Sequence, residues 1–500
     1  MSKQFLKFNS GSFGYENSIN DIFNNLSFQL STGWTGLIGA NGSGKTTLLK
    51  LACGLLECSR GTIESPVNIY YNEQRTDNAP VQFHDFLNCY DKSTYRLIDE
   101  LKIEHDWISR WDTLSHGERK RVQIACAIWS CPDLLAIDEP TNHLDMKARE
   151  MIFDSLKSFK GIGLIVSHDR DLMENLCSQF LFIDSGNVDI RRGKLSEVIT
   201  QRKSENEYAL KQFELKKLEI SKLEKEYKRR GEIAEKAKKK SSKRNIEKKD
   251  TDAKAKIDFG RLTGKDAVGG KQKTTMQTRL ESAKSEMQSI EIKREYKTGI
   301  MLSGSISQRN YLLNLEAGSL QLSDDKKITF DNLVITPRDK IALTGINGSG
   351  KSTLIRHILK HINAEPKNIT YIPQEISVDE TIELMSEIRK LPNEQLGKLL
   401  IIVSRLGSDA KRILESEIPS PGETRKLLLG LGISKNPHII IMDEPTNHMD
   451  IVSIECLEDA LQNVSCALLL VSHDKKFLKS LTEMEWKIER NGATFVVADS

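Results

Sequence analysis

Gly39-Ala40-Asn41-Gly42-Ser43-Gly44-Lys45-Thr46 is answered, 306 residues later, by Gly345-Ile346-Asn347-Gly348-Ser349-Gly350-Lys351-Ser352. Both stretches read G-x-x-x-x-G-K-[ST], a phosphate cradle. Its glycines let backbone N–H groups wrap an anion, its Lys reaches the β- and γ-phosphates, and its hydroxyl can ligate Mg²⁺. Thr47 and Thr353 continue the two loops. Each loop follows an apolar strand, Trp34 to Ile38 and Lys340 to Thr344, and each opens a helix, expected over Leu48 to Leu56 and Leu354 to Leu359. A chance match is expected roughly 0.02 times in a chain of this length. Two matches in the right context therefore mark phosphate binding, not a glycine-rich turn before a helix.

The residues downstream repeat in step. Asp138 lies 93 residues beyond Lys45 and Asp443 lies 92 beyond Lys351, each closing an apolar strand that reads Leu134-Leu135-Ala136-Ile137 or Ile439-Ile440-Ile441-Met442. That is where an acidic Mg²⁺ ligand belongs. Glu139 and Glu444 come next, placed to accept a proton from a water attacking a terminal phosphate, and are assigned as general bases. Thirty residues past each aspartate, His168 and His473 follow the apolar runs Leu164-Ile165-Val166 and Leu469-Leu470-Val471. A single histidine is most often structural, but equal spacing in both halves favours a γ-phosphate contact. Twenty-three residues before each aspartate stands Ser-x-Gly-Glu, as Ser115, Gly117 and Glu118, and as Ser420, Gly422 and Glu423. Gln74 and Gln374 each follow a short aromatic strand.

This set resembles the ATP-binding cassette superfamily, with a phosphate loop, glutamine loop, signature, Asp-Glu strand and switch histidine in each half. The resemblance implies an ATPase using ATP and Mg²⁺, with Thr46, Gln74 and Asp138, and Ser352, Gln374 and Asp443, around the metal. It also implies head-to-tail closure, with each ATP held between one cassette's phosphate loop and the other's signature. Lys45, Thr46, Gln74, Asp138, Glu139 and His168 would then face Ser420, Gly422 and Glu423. Lys351, Ser352, Gln374, Asp443, Glu444 and His473 would face Ser115, Gly117 and Glu118. A serine opening a glycine-flanked helix can offer N–H groups and a hydroxyl to phosphate, which is chemically consistent. The sequence departs from the family pattern at His116 and Pro421, where the signature usually has Gly, and at Pro419, where it usually has Leu. Tyr15, beside Phe13 and 24 residues before Gly39, is the adenine-stacking candidate of the first half. The matching position in the second is Gln321 between Leu320 and Leu322, which implies aliphatic packing.

Composition narrows the setting. No run of 18 apolar residues occurs, and Met1-Ser2-Lys3-Gln4 has neither signal nor anchor pattern, so a cytoplasmic protein that does not cross a membrane is expected. Eight cysteines form no C-x-x-C pair, which fits reduced core residues and argues against zinc or iron–sulfur clusters. Charge is strongly segregated. Between Gln201 and Ile300, 29 Lys and Arg stand against 17 Asp and Glu, a net of +12 in a chain whose total is +3, leaving −9 for the remaining 400 residues.

The flanks of that basic segment carry helical stripes, one of Leu210, Phe213, Ile220, Leu223 and Tyr227, the other of Met276, Leu280, Ala283, Met287 and Ile290. They predict an antiparallel hairpin whose connection, Arg229 to Thr275, is rich in Lys and Gly. Lys238, Lys239, Lys240, Lys243, Arg244, Lys248 and Lys249 are its RNA-binding candidates. With Phe259 nearly the only aromatic there, recognition by charge and shape fits better than base stacking.

Twin cassettes, the Asp-Glu-Pro-Thr-Asn-His-Leu-Asp run, signatures ending in Glu and a charged helical linker together resemble the ABC-F proteins. The fold class expected is therefore α/β, two P-loop ATP-binding cassette domains joined by an α-helical hairpin linker, with cassettes at 1–199 and 304–500 and the linker at 200–303. The resemblance implies an ATP-dependent factor that acts as a monomer on the ribosome. It would push its linker toward the peptidyl-tRNA and the peptidyl-transferase centre, as a translation factor or in antibiotic resistance. Gln74 and Ser115 are 41 residues apart, leaving no room for an extra arm, and 27 residues follow His473, so the chain looks more like resistance-type or specialised members. The alternatives are a soluble motor for a transporter and a DNA-bound ATPase clamp. The basic hairpin argues against the first, and discrimination between RNA and duplex DNA separates the second.

Overall fold

A computed structural model describes residues 5–15, 21–142, 144, 146–184, 186–240, 265–290, 304–323, 326–346, 348–408, 410–416, 418–447, 449–491 and 494–499. It divides into two compact units, Met1–Val198 together with Tyr296–Ser500, and Ile199–Glu295.

Two parallel sheets organise the first unit. In the N-terminal half the strand order is Ile69–Asn72, Leu134–Asp138, Ile162–Val166, Gly33–Gly39, Gln179–Asp184 and Asn187–Arg192. Every pair is parallel except the last. The C-terminal half repeats the order with Ile369–Ile372, Ile439–Asp443, Ala467–Val471, Lys340–Gly345, Met484–Asn491 and Thr494–Asp499, and continues it with Lys326–Phe330 and Gly318–Ser323. Here the parallel-sheet strands Ile439–Asp443 and Ala467–Val471 are buried at every position. Strands covered on both faces have no solvated side, which is why their sequences are unbroken apolar runs and do not alternate. In the N-terminal half, an antiparallel layer of Phe23–Ser31, Phe5–Phe13 and Arg60–Glu64 covers the sheet through Leu6, Phe8, Phe23 and Leu30.

Register places the chemistry. Asp138 pairs with Val166, Leu37 with Val166, and Gly39 with Ile183, so the metal-strand carboxylate and the phosphate loop emerge together at the carboxyl edge of the sheet. Asp443 opposite Val471 and Gly345 opposite Ile488 reproduce this in the second half. The crevice beyond the carboxyl ends of parallel strands is where such sheets bind ligands.

The helices after the loops run Lys45–Ala52 and Lys351–His361, so each begins at the lysine itself, three residues before the apolar stripe that betrays it in sequence. The signature helices, His116–Trp129 and Pro421–Ser434, both start with a capping box. Pro421 occupies the first helical turn, where no N–H partner is required and a fixed φ suits the helix. His116 takes the same first position, so both departures from the family pattern fall where the helix tolerates them.

In the second unit, helices Leu195–Lys240 and Lys265–Gln288 are joined across by Lys216 to Glu286 at 2.7 Å and Lys284 to Glu224 at 2.9 Å. Ile220, Met276 and Ala283 from the two predicted stripes are buried. The long Lys- and Gly-rich connection expected over 229–275 is corrected at both ends. Helix continues to Lys240 and resumes at Lys265, passing through Gly269-Gly270, because a penalty of about 1 kcal/mol per glycine can be offset by the bonds that propagation adds along the rest of the helix. Among the described residues no helix is long and apolar enough to cross a membrane.

Gly163 lies against Trp34, whose ring carbon Cε3 would be 2.3 Å from an added Cβ and whose Nε1 is tied to Leu156 O at 3.1 Å. The indole therefore cannot give way. Gly163→Ala is expected to lower stability by about 1–3 kcal/mol, read as an earlier midpoint of urea unfolding followed by tryptophan fluorescence.

Candidate nucleotide-binding sites

The loop conformation depends on glycines. Gly42 and Gly44 have φ of 78° and 98°, Gly348 and Gly350 have 74° and 96°, all in the left-handed region. A side chain on Gly44 would also strike Phe23 and Ile22, and one on Gly350 would strike Leu322. Lys45 Nζ donates to Gly39 O and Ala40 O at 2.8 and 3.0 Å, and Lys351 Nζ to Gly345 O and Ile346 O at 2.7 and 3.1 Å. Burial pulls the Lys45 ammonium below its usual range, opposed by Asp450, Glu139 and Asp138. Asn347 lies outside the described residues.

Thr46 Oγ1 donates to Asp138 Oδ2 at 2.7 Å, and Ser352 Oγ to Asp443 Oδ2 at the same distance. Burial raises both aspartates above the usual carboxylate range, most directly opposed by those hydroxyl bonds. A hydroxyl and a carboxylate converging beside a buried lysine form the oxygen donor set that Mg²⁺ and phosphate require. The buried hydroxyls of Ser43 and Ser349 have no hydrogen-bond partner among the described residues, so each cradle holds an unsatisfied polar atom. The residues fit a magnesium–nucleotide complex.

Glu139 and Glu444 have φ of 49° and 50°, a conformation unusual for a side-chain-bearing residue and fixed here by N–H donation to Val166 O and Val471 O, both at 2.8 Å. The strained turn aims each carboxylate at its histidine. His168 Nε2 stands 3.0 Å from Glu139 Oε1 and His473 Nε2 3.3 Å from Glu444 Oε1, while the histidine backbone N–H groups donate to the other oxygens at 3.3 Å.

Tyr15 is half exposed, packs edge-on against Phe13 and shares a hydrogen bond with Thr47 Oγ1 at 3.2 Å. It lines the first site with Gln74. Leu322 occupies the corresponding wall of the second site, with Thr353 and Gln374.

The two sites are completed differently across the interface. Ser420, Pro421 and Gly422 line the first site opposite Lys45. Asp450 Oδ2 also accepts from the Asn41 N–H of that loop at 3.2 Å. The second site is lined from the first cassette by Leu144 and Arg149, and Ser115, Gly117 and Glu118 are not among its lining residues. Glu118 and Glu423 serve as caps, each accepting from the backbone N–H and hydroxyl of its signature serine.

Several residues with no motif signal also support the sites, two from within their own cassette and others across the interface. Lys120, buried, donates to Glu73 O and Gln74 O at 2.7 and 3.2 Å, and Arg425 holds Gln374 O and Asn447 O. Both stand five residues beyond the signature serine, so a buried cation anchors each glutamine loop; only that equal spacing could have revealed them. Arg170 Nη1 reaches both carboxylate oxygens of Glu458 in the other cassette at 2.9 and 3.0 Å. Asp171 lies 3.6 Å from Lys476 across the same interface.

Burial pushes the Glu444 carboxyl up to about 7 from 4.5, opposed first by the Lys351 charge. The folded protein therefore holds a proton that the unfolded chain has released between those values. This contribution to stability is fully present below about pH 4.5 and is lost as pH rises through about 7. Glu444→Gln is expected to gain on the parent protein by up to about 3 kcal/mol between pH 4.5 and 8. Melting temperatures of both proteins without nucleotide, compared across that range, test this.

Comparison with known proteins agrees with the geometry. The ABC transporter family model matches residues 23–142 and 331–447, once in each half. The ribosome protection protein VmlR of Bacillus subtilis is 27% identical over 498 residues, spanning 96% of this chain and 86% of its own. The erythromycin resistance ATP-binding protein MsrA of Staphylococcus epidermidis is 29% identical over 462 residues, covering 90% and 91%. A probable ATP-binding cassette sub-family F member 3 homolog of Encephalitozoon cuniculi is 26% identical over 456 residues, covering 89% and 74%. Among solved structures, an RNase-L inhibitor shares the fold with a TM-score of 0.60 at 16% identity, over 98% of this chain and 90% of that one. Two matched cassettes around paired phosphate loops make this chain an ATPase of twin ATP-binding cassettes, similar over most of its length to VmlR, MsrA and a sub-family F member 3 homolog.

Proposed function

We propose that this ATPase is a ribosome factor, closing its cassettes on ATP and reopening them on hydrolysis, as a translation factor or in antibiotic protection. The observation that carries this reading is similarity along 96% of the chain to a ribosome protection protein, in a molecule whose basic excess is confined to a helical arm. Residues 1–199 and 304–500 are the cassettes and 200–303 the arm, acting as a monomer in the cytoplasm.

Bound Mg²⁺, held by Thr46, Gln74 and Asp138 or by Ser352, Gln374 and Asp443, would neutralise phosphate charge. Loop N–H groups and Lys45 or Lys351 hold the phosphates. Glu139 or Glu444 takes a proton from the attacking water, with His168 or His473 fixing the carboxylate's direction. At the first site Ser420 and Gly422 of the facing signature make closure depend on the terminal phosphate, a two-state element biased by one ligand group. In the arm, Lys238, Lys239 and Lys240 end the helix Leu195–Lys240, while Lys243, Arg244, Lys248 and Lys249 lie outside the described residues. All seven are assigned to the RNA backbone of the ribosome, near peptidyl-tRNA.

Glu139→Gln combined with Glu444→Gln is expected to pellet with ribosomes in ATP and to stay in the supernatant without it. Failure to pellet in either condition would retire the ribosome reading. Neutralising Lys238, Lys239, Lys240, Lys243 and Arg244 in that double mutant should weaken binding and flatten its dependence on salt, since each lost phosphate contact lowers the slope by about 1. An unchanged slope would make these residues solvated surface.

A further inference from the structure

The two nucleotide sites are not chemically equivalent, and one of the differences is a charged residue. Arg149 belongs to the first cassette, on the helix Met146–Lys157, yet its side chain lines the second site beside Lys351, Glu444 and His473. The position 305 residues on, the offset that relates Asp138 to Asp443 and His168 to His473, is Ile454, a buried core residue. Among the described residues, no arginine lines the first site in return. From the second cassette it receives Asp450, whose carboxylate binds the Asn41 N–H.

The guanidinium is held by its near end. Nε donates to Leu144 O at 3.2 Å, while Nη1 lies 3.5 Å from Asp169 Oδ2, at the outer limit of a hydrogen bond. Asp169 Oδ1 is already committed to capping the next helix through Leu172 N–H at 2.9 Å. The side chain is 22% exposed. An arginine with a fixed stem, a weakly held head and a place on the wall of a phosphate-binding crevice matches the geometry that serves oxyanions.

We propose that Arg149 is a nucleotide-binding residue contributed in trans to the second site alone, where its guanidinium takes the terminal phosphate of ATP. This rests on the assignment of Lys351 and its loop as a nucleotide site. It gives the second site a direct contact between the triphosphate and the opposite cassette, made by an arginine where the first site has Ser420 and Gly422. Through Asp169 the same guanidinium adjoins the Arg170–Glu458 ion pair that joins the cassettes.

The test uses the full chain with Lys45→Ala to silence the first site, and titration calorimetry with ATP and with ADP, each with Mg²⁺. Arg149→Ala is expected to weaken ATP binding about tenfold while leaving ADP within twofold, and Arg149→Lys to restore most of the ATP affinity. In the reciprocal protein, with Lys351→Ala and the first site reporting, Arg149→Ala should change neither nucleotide. Equal weakening of ATP and ADP would overturn the proposal and leave Arg149 as a structural tie between Leu144 and Asp169. Unchanged ATP affinity would overturn it as well. If the Lys45→Ala protein binds neither nucleotide with Arg149 in place, the site assignment itself falls and the inference with it.

Discussion

Everything in the nucleotide sites depends on three adjacent parallel strands ending level. Gly33–Gly39, Leu134–Asp138 and Ile162–Val166 deliver the phosphate loop, the Asp-Glu pair and the histidine to one edge, and the pairing of Asp138 and Leu37 with Val166 sets their spacing. A slip of one residue would turn every buried side chain of a strand to the other face. Because these strands are buried on both faces, the slip is opposed by the whole core. The 2.7 Å bond between Thr46 and Asp138 is a consequence of that register, as is its twin between Ser352 and Asp443.

Strain is placed where it is useful. Glu139 and Glu444 each adopt a left-handed backbone that costs of order 1–3 kcal/mol, and each is over-determined by a bond to the neighbouring strand and by its histidine. The turn redirects the chain immediately after the metal-strand aspartate. Two successive carboxylates can then face different tasks although they are neighbours in sequence.

Much of this was legible in the residues because phosphate chemistry demands special backbone and therefore special sequence. The glycines of the loops, the Asp-Glu pairs after apolar runs and the histidines at equal offset are all residues for which few substitutes exist. The signature serines and their glutamates could be read as helix starts for the same reason. What sequence could not give was the supporting contacts, both within and between the cassettes. Lys120, Arg425, Arg170, Glu458 and Arg149 are ordinary charged residues in helices, and only three-dimensional proximity distinguishes them from solvated surface. The arm showed the opposite limit: its stripes predicted two helices, yet glycines assigned to the connection lie within the second, since local propensity is a weak term.

The contact of Asp171 with Lys476 has a meaning that neither residue has alone. The two positions are equivalents, separated by the same 305 residues as the histidines, so in a pseudo-twofold arrangement they meet close to the axis. An identical pair of cassettes would bring like charges together there, aspartate to aspartate or lysine to lysine. Both side chains are about half exposed, so the attraction adds little stability. Its effect is discrimination: each half carries at its axis the complement of its sibling and the repellent of its own copy. The chain thereby carries a lock by which each half recognises the other, and the Arg170–Glu458 pair, which has Lys475 and Phe153 at the equivalent places, keeps the two halves from being interchangeable.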